Sequence, residues 1–347
     1  MWPMSRRGFA KQFQPILGEE SFLETTITRV KFGFKPEDIY FAVPKEQVHW
    51  VKKQAKGIPP ENIIPEPERR DNLGAVGLAT VFLDKYFPSS LMAVVWGADH
   101  LVKQPDEFNR LLKLAARVCQ VKDVICKIDT KPPYIARTYG WVKLGKLIGR
   151  VDHHEVYDFE KFVEKPDLET IKKYFKDKHY LAQTGYFVWR TSTMIKMLKK
   201  YSPKNFRLLM QIRKALGTKK ENEVLKQVYR KIEKISFEYG LLEKLPPKSM
   251  SVILADMGWF DVGTWDLLYE ALAIGQRQNI TRGEVEFIEA KGNLVYLPKN
   301  KVAAIIGLDN VVVVDTKDGL LVCRRGKSEN IKKFIELLKK KGKVEYL

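Results

Sequence analysis

Two carboxylates stand where a cation bound to phosphate could use them. Asp99 closes Val95-Trp96-Gly97-Ala98-Asp99-His100, directly after the apolar run Leu91–Trp96. In open parallel sheets, ligands gather beyond the carboxyl ends of strands, and a glycine such as Gly97 lets backbone approach a ligand there. Asp261 lies in Gly258-Trp259-Phe260-Asp261-Val262-Gly263-Thr264-Trp265, where two glycines and two tryptophans describe a tightly fixed turn. Carboxylates from two distant segments are what Mg²⁺ takes from a protein while leaving positions for phosphate and water. Each aspartate also has a plainer reading as a helix N-cap, Asp261 for a helix expected over Trp265–Ala273.

Other candidates bring cations, some of them beside further carboxylates. Glu164 and Lys165 end a β-rich run stopped by Pro166. A glutamate accepts hydrogen bonds from sugar hydroxyls, and a lysine pairs with phosphate as a point charge. Taken alone, an exposed Glu-Lys pair is commonplace. Lys11 and Gln12, close behind Arg6 and Arg7, form a second cationic site. His153 and His154, flanked by Asp152 and Glu155, invite a metal reading. Neighbours on a strand point to opposite faces, so the two imidazoles do not share an ion. The sequence carries no specific Ser/His/Asp arrangement, no G-x-x-x-x-G-K and no G-x-G-x-x-G.

The elements that must position these groups alternate from Glu37 to about Leu272. Strands are expected at Ile39–Val43, Leu91–Trp96 and Asp123–Ile128, and helices at Lys45–Lys56, Asn72–Tyr86 and Phe108–Val118. Leu91–Trp96 is nearly all apolar, as a strand buried on both faces should be. This alternation predicts an α/β domain with a mostly parallel sheet. Arg190–Lys234 reads as helical and holds 14 Lys and Arg against three Glu. Val224, Leu225, Val228, Tyr229, Ile232 and Ile235 follow a 3.6-residue period, which leaves the lysines on a solvated face. After about Ala273 the texture changes to short strands at Glu284–Ile288, Gly292–Leu297, Val302–Ile306, Val311–Asp315 and Leu320–Val322. A helix over Lys327–Lys341 closes the chain.

Composition bounds the rest. The 347 residues suggest about two domains, and 45% hydrophobic with 30% charged residues is a globular balance. A net charge of +19 favours anionic partners. Three cysteines without paired spacing argue against a disulfide framework and a zinc site, and point to the reducing cytoplasm. No apolar run approaches the roughly 18 residues a membrane span needs. The N-terminus lacks the apolar stretch of a signal peptide.

Taken in order, these segments resemble the bacterial mannose-1-phosphate guanylyltransferases, among the nucleotidyltransferases that make nucleotide sugars. Trp2-Pro3-Met4-Ser5-Arg6 with Lys11-Gln12-Phe13 is similar to the family's W-P-x-S-R…P-K-Q-F, with Ala10 in place of the proline. Glu66-Pro67-Glu68-Arg69-Arg70-Asp71 resembles E-P-x-x-R-[ND]. Ala98-Asp99-His100, Phe162-Val163-Glu164-Lys165-Pro166 and Gly258–Trp265 match closely. Ile306-Gly307-Leu308-Asp309 with Val311–Thr316 resembles the family's closing β segment.

The resemblance implies a Rossmann-like nucleotidyltransferase domain with a mixed, mostly parallel sheet over residues 1–272. A small left-handed β-helix-like domain with a terminal helix is implied over 273–347. It implies transfer of GMP from GTP to mannose 1-phosphate with Mg²⁺ as cofactor. Asp99 and Asp261 would hold the metal, with Lys11 as the third catalytic residue. Arg6, Gln12, Arg70, Asp71 and Gly97 would face the nucleotide. Tyr139, Gly140, Glu164, Lys165, Gln183 and Gly185 would face the sugar phosphate. The expected partners are these two substrates, with neither nucleic acid nor membrane, and a homodimer left open. The family also carries a strand and a glycine-rich turn, G-G-x-G-T-R, ahead of the position of Met1, so the catalytic domain is expected to be incomplete at its start. Ala182-Gln183 stands where the family has W-N, and Thr138 where it has the first glycine of E-T-G-Y-G-Y. The alternatives are a related enzyme using another base or sugar, and a non-catalytic nucleotide-binding homologue.

Overall fold

A computed structural model describes all 347 residues. By contact the chain divides into two compact units, one made of residues 27–97 and 102–259, the other of 1–26, 98–101 and 260–347.

The larger unit is a layered α/β structure. Strands β1 (Phe41–Pro44) and β2 (Ile63–Glu66) form a parallel pair. Helix α1 (Asp71–Tyr86) follows, then β3 (Leu91–Val95), helix α2 (Pro105–Val121), β4 (Ile125–Thr130), β5 (Trp141–Val151), β6 (His154–Val163) and β7 (Tyr180–Arg190). Helices α3 (Thr191–Tyr201), α4 (Pro203–Ala215) and α5 (Glu221–Tyr229) precede β8 (Met250–Ala255). The main sheet runs in the order β3-β7-β4-β8-β6-β5. It is mixed, as expected, but the mostly parallel pattern is corrected: β4–β8 is its parallel pairing, while β3–β7, β4–β7, β5–β6, β5–β7 and β6–β8 are antiparallel. One cause is local. Asp152 and His153 both have positive φ, +47° and +70°, the geometry of a tight hairpin turn that folds β6 back on β5. The double-histidine segment is therefore a turn, and His154 faces Glu107 at 2.9 Å.

Leu91–Val95 is not buried on both faces. It is the edge of the main sheet, paired with β7 on one side, and each of its residues is half-buried. The interior belongs to β4 and β7, whose Cys126, Ile128, Tyr186, Phe187 and Trp189 are inaccessible. Helix α1 lies against this core with nearly every turn covered, and Gly77 leaves room for Leu209, whose Cδ1 a Cβ there would meet at 2.6 Å. The basic stretch forms α3 to α5. Val228, Tyr229 and Ile232 are buried while Lys196, Lys199, Lys204, Lys219, Lys220 and Lys226 face solvent, as the 3.6 period requires.

The smaller unit is built on stacked parallel strands. Helix α6 (Trp265–Leu272) leads into β9 (Ile280–Arg282), β10 (Glu284–Ile288), β11 (Leu294–Tyr296), β12 (Val302–Ile306), β13 (Val311–Thr316) and β14 (Gly319–Arg324). β9, β11 and β13 align in parallel, as do β10 and β12, while β14 returns antiparallel to β13. An asparagine ladder ties the coils: Asn293 N–H donates to Asn279 Oδ1 at 3.0 Å, and Val311 N–H to Asn293 Oδ1 at 2.8 Å. Val262, Trp265, Leu268, Leu294, Val312 and Val314 share one core with Ile16 and Phe22 from the start of the chain. Trp2 is buried, its indole donating to the Tyr346 carbonyl at 2.8 Å, and its own carbonyl accepts from the Trp265 indole at 2.9 Å. Helix α7 (Ile331–Lys340) adds Phe334 edge-on to Trp2.

Candidate active site

In the smaller unit the sequence candidates converge. A short 3₁₀ turn, Lys11–Phe13, is anchored by buried Phe13 and by the Ser5 hydroxyl, which accepts from Lys11 N–H at 3.1 Å. It delivers the Lys11 ammonium to two acceptors, the Asp99 carboxylate and the Val262 carbonyl, the latter at 3.3 Å. Val262 N–H donates to the Asp99 carbonyl at 3.2 Å, so the chain beside Asp261 is fastened to the chain at Asp99. Lys11, Asp99 and Asp261 therefore belong to one backbone-tied cluster.

Neither aspartate is a helix cap. Asp99 precedes an extended segment, and the cap of α6 is Thr264, whose hydroxyl accepts from Leu267 N–H. Gly263 explains part of the local conformation: a Cβ there would stand 3.2 Å and 3.3 Å from the two Asp261 carboxylate oxygens. Burial would push the Asp99 carboxyl up. The adjacent Lys11 ammonium, with His100, more than reverses this and holds it below the usual carboxylate range. The aspartate is thus kept ionised.

Two further residues of this unit, Arg6 and Gln12, were expected to face the nucleotide. The Arg6 guanidinium grips Asp318 with bonds of 2.9 and 2.7 Å, and its Nε donates to the Pro3 carbonyl. The pair joins Arg6 to an exposed carboxylate of the same unit. Gln12 sits half-buried in the same turn as Lys11.

In the larger unit a second set surrounds an open cavity of about 500 Å³ lined by Asp71, Asn72, Glu164, Lys165, Lys234 and Glu238 among others. The Glu164 side chain is 7% exposed and takes the Lys165 ammonium at 2.6 Å. Burial pushes its carboxyl above the ordinary value, with Lys165 offsetting only part. Gly140 makes room for it, since a Cβ would meet Phe162 at 2.5 Å and Glu164 Oε2 at 2.7 Å. The Gly140 carbonyl also accepts from Gln183 N–H at 2.9 Å, which joins β7 to this corner. Tyr139 is buried, its ring 5.5 Å from that of Trp259.

Asp71 begins α1 with φ of +61° and lies exposed at the cavity rim. Arg70 is turned to Glu68 at 2.6 Å. Gly97 and Gly185 both have left-handed backbone, +54° and +80°, and the Gly185 carbonyl accepts from Trp96 N–H, so they shape the end of β3.

Four residues of this unit escaped the sequence reading: Asn72, Lys127, Asp129 and Glu238. Lys127 and Asp129 are wholly buried and paired at 2.9 Å. A signal existed in Ile125-Cys126-Lys127-Ile128-Asp129-Thr130, where two opposite charges share one face of an otherwise apolar strand. Nothing local marks Glu238, since its role depends on residues far away in sequence.

The family described as nucleotidyl transferase matches residues 1–277, most of the chain. The chain belongs to the nucleotidyl transferase family. A second match, to the MannoseP isomerase/GMP-like beta-helix domain, covers residues 283–338 and corresponds to the stacked strands β10 to β14. Among curated relatives, an Escherichia coli mannose-1-phosphate guanylyltransferase is 27% identical across 100% of this chain and 74% of its own length. The Salmonella typhimurium mannose-1-phosphate guanylyltransferase RfbM is 28% identical across 100% of this chain and 71% of its own. A Thermus thermophilus crystal structure described as a mannose-1-phosphate geranyltransferase superposes with a TM-score of 0.87 at 26% identity, covering 98% of this chain and 95% of the other. This nucleotidyltransferase has no helix long and apolar enough to cross a membrane.

Proposed function

We propose that this nucleotidyltransferase transfers GMP from GTP to mannose 1-phosphate, giving GDP-mannose and pyrophosphate. The observation that carries the reading is the cluster of Lys11, Asp99 and Asp261, a cation and two carboxylates tied together by the Val262 backbone. A phosphate oxygen of the sugar phosphate attacks the α-phosphorus of GTP in line. The bond to the β-phosphate breaks, and pyrophosphate carries away the electron pair. The nucleophile is already an anion, so no side chain has to remove a proton. The protein's work is positioning and charge neutralisation.

Asp99 and Asp261 would hold Mg²⁺. Two hard carboxylate donors suit this ion when phosphate and water complete its shell, and it would offset charge on the phosphates. Lys11, beside Asp99, would neutralise triphosphate oxygens. Gln12, Asp71 and Gly97 belong to the nucleotide side of the reaction. Glu164 would accept sugar hydroxyls and Lys165 would meet the sugar's phosphate, with Tyr139, Gly140 and Gly185 shaping that pocket. Arg6 and Arg70, which pair with the exposed carboxylates of Asp318 and Glu68, would add positive charge on the nucleotide side. Three free thiols, Cys119, Cys126 and Cys323, suit the reducing cytoplasm.

The test is pyrophosphate release from GTP, mannose 1-phosphate and Mg²⁺, run beside a panel of other nucleoside triphosphates and hexose 1-phosphates. The expected result is highest kcat/KM for the GTP and mannose 1-phosphate pair, abolished in Asp261→Ala. Preference for another pair, or activity untouched by that substitution, overturns the proposal.

A further inference from the structure

Buried Lys127 has no direct place in the reaction just described, yet it heads a chain of side chains that ends at the cavity. Its ammonium donates to Asp129 at 3.0 Å and to Gln183 Oε1 at 3.1 Å. Gln183 Nε2 donates to Glu238 Oε1 at 2.8 Å. Glu238 Oε2 accepts from Asn72 Nδ2 at 3.2 Å, and Asn72 Oδ1 in turn accepts from Phe237 N–H at 2.6 Å.

The direction of this chain follows from donor chemistry. An amide can be turned either way unless a partner fixes it. An ammonium only donates, so Lys127 forces the Gln183 oxygen inward and its NH₂ toward Glu238. The Phe237 N–H fixes Asn72 in the same manner, so Glu238 is held by two oriented amides. Each carboxylate oxygen has used one lone pair and keeps another for a ligand. Glu238 is 8% exposed and lines the same cavity as Glu164, Lys165 and Lys234. Carboxylates that only accept, set beside two ammonium groups, fit a ligand with hydroxyls at one end and an anion at the other. That is the chemical class of a sugar phosphate.

We infer that Glu238 is a specificity-determining residue that accepts a ring hydroxyl of the sugar phosphate, and that Lys127 and Gln183 act as positioning residues for it. The inference rests on the proposed sugar-phosphate reading and deepens it. It also changes the expected role of Gln183. Both ends of its amide are engaged by protein side chains, so it acts through Glu238 rather than on the sugar.

The experiment is calorimetric titration of mannose 1-phosphate and its monodeoxy analogues, with a nonreactive GTP analogue present. The proteins are the unaltered enzyme, Glu238→Ala, Gln183→Met and the double variant. Glu238→Ala should weaken mannose 1-phosphate binding at least about tenfold, the loss of one hydrogen bond to a charged acceptor, with nucleotide affinity unchanged. One deoxy analogue should bind the unaltered enzyme as weakly as the parent sugar binds Glu238→Ala. Gln183→Met should weaken binding alone and add nothing in the Glu238→Ala background. Unchanged affinity in Glu238→Ala, independent losses in the double variant, or no binding of any analogue or parent to the unaltered enzyme overturns the inference. Should Glu238→Ala fail to fold, Glu238→Gln keeps the shape and removes the charge, and the same outcomes apply. Binding that follows this pattern without GDP-mannose formation would sink the proposed reaction and leave the inference standing.

Discussion

At the scale of single residues, the cluster around Lys11 makes the sharpest demands. Replacing Lys11 with Met leaves Asp99 half-buried without its cation and removes the charge proposed to meet the triphosphate. We expect kcat/KM for pyrophosphate release to fall by about 10²–10³, in line with loss of one preorganised electrostatic contact. Steady-state assays across Mg²⁺ concentrations check this. A loss repaired by excess Mg²⁺ would mean that Lys11 only guards the metal site. Gly140 is a second residue whose identity is set by space. Gly140→Ala places a methyl group against Phe162 and Glu164, and should cost about 1–3 kcal/mol of stability. Because Glu164 is one of the displaced groups, KM for the sugar phosphate should rise with it, while KM for the nucleotide stays level.

Elements are held by a few buried polar contacts. Asp84 near the end of α1 accepts from Thr191 Oγ1 at 2.8 Å, Ser89 N–H at 3.2 Å and Arg213 Nε at 2.9 Å, joining α1 to α3 and α4. Burial alone would raise its carboxyl. Thr191, Ser89 and Arg213 outweigh burial and hold it below the usual value. A carboxyl depressed in the folded state stabilises the fold above its unfolded pKa, about 3.9. That contribution is lost as pH falls through the lower folded value. Asp84→Asn should therefore cost about 1–3 kcal/mol at pH 7, as loss of hydrogen bonds to a charged group does. The gap between the two proteins should close in strong acid. Thermal denaturation from pH 7 downward checks the sign, and a gap that widens on acidification would refute it.

For the whole molecule, the composition of the smaller unit matters most. Its core draws on Ile16 and Phe22 from the start of the chain and on Leu294, Val312 and Val314 from the end. A truncation after residue 272, at the boundary suggested by sequence texture, removes β9 to β14 and α7. Trp2, the first turn and α6 then lose their packing partners. We expect residues 1–272 to be poorly soluble or to melt well below the full chain, measured by soluble yield and circular dichroism. An intact, cooperatively melting fragment would mean that the N-terminal segment does not depend on the stacked strands. Trp2→Ala is the milder version of the test and should cost about 3–5 kcal/mol.

What the sequence determined by itself was local and periodic. Helices α1 and α2, the basic face of α3 to α5 and the short strands after Ala273 follow from apolar spacing, because burial of one face dictates that spacing. The types and order of Lys11, Asp99, Glu164 and Asp261 marked them as candidates, since few side chains can manage phosphate charge. Tertiary structure alone decided the rest. The antiparallel majority of the sheet and the half-buried edge at Leu91–Val95 depend on which strands pair. Pairing is a choice among distant partners that no window of sequence records. The same holds for Arg6, claimed by Asp318 more than three hundred residues away, and for the path from Lys127 through Gln183 to Glu238. A charge in the chain announces that it needs a partner; only the folded arrangement says which one it gets.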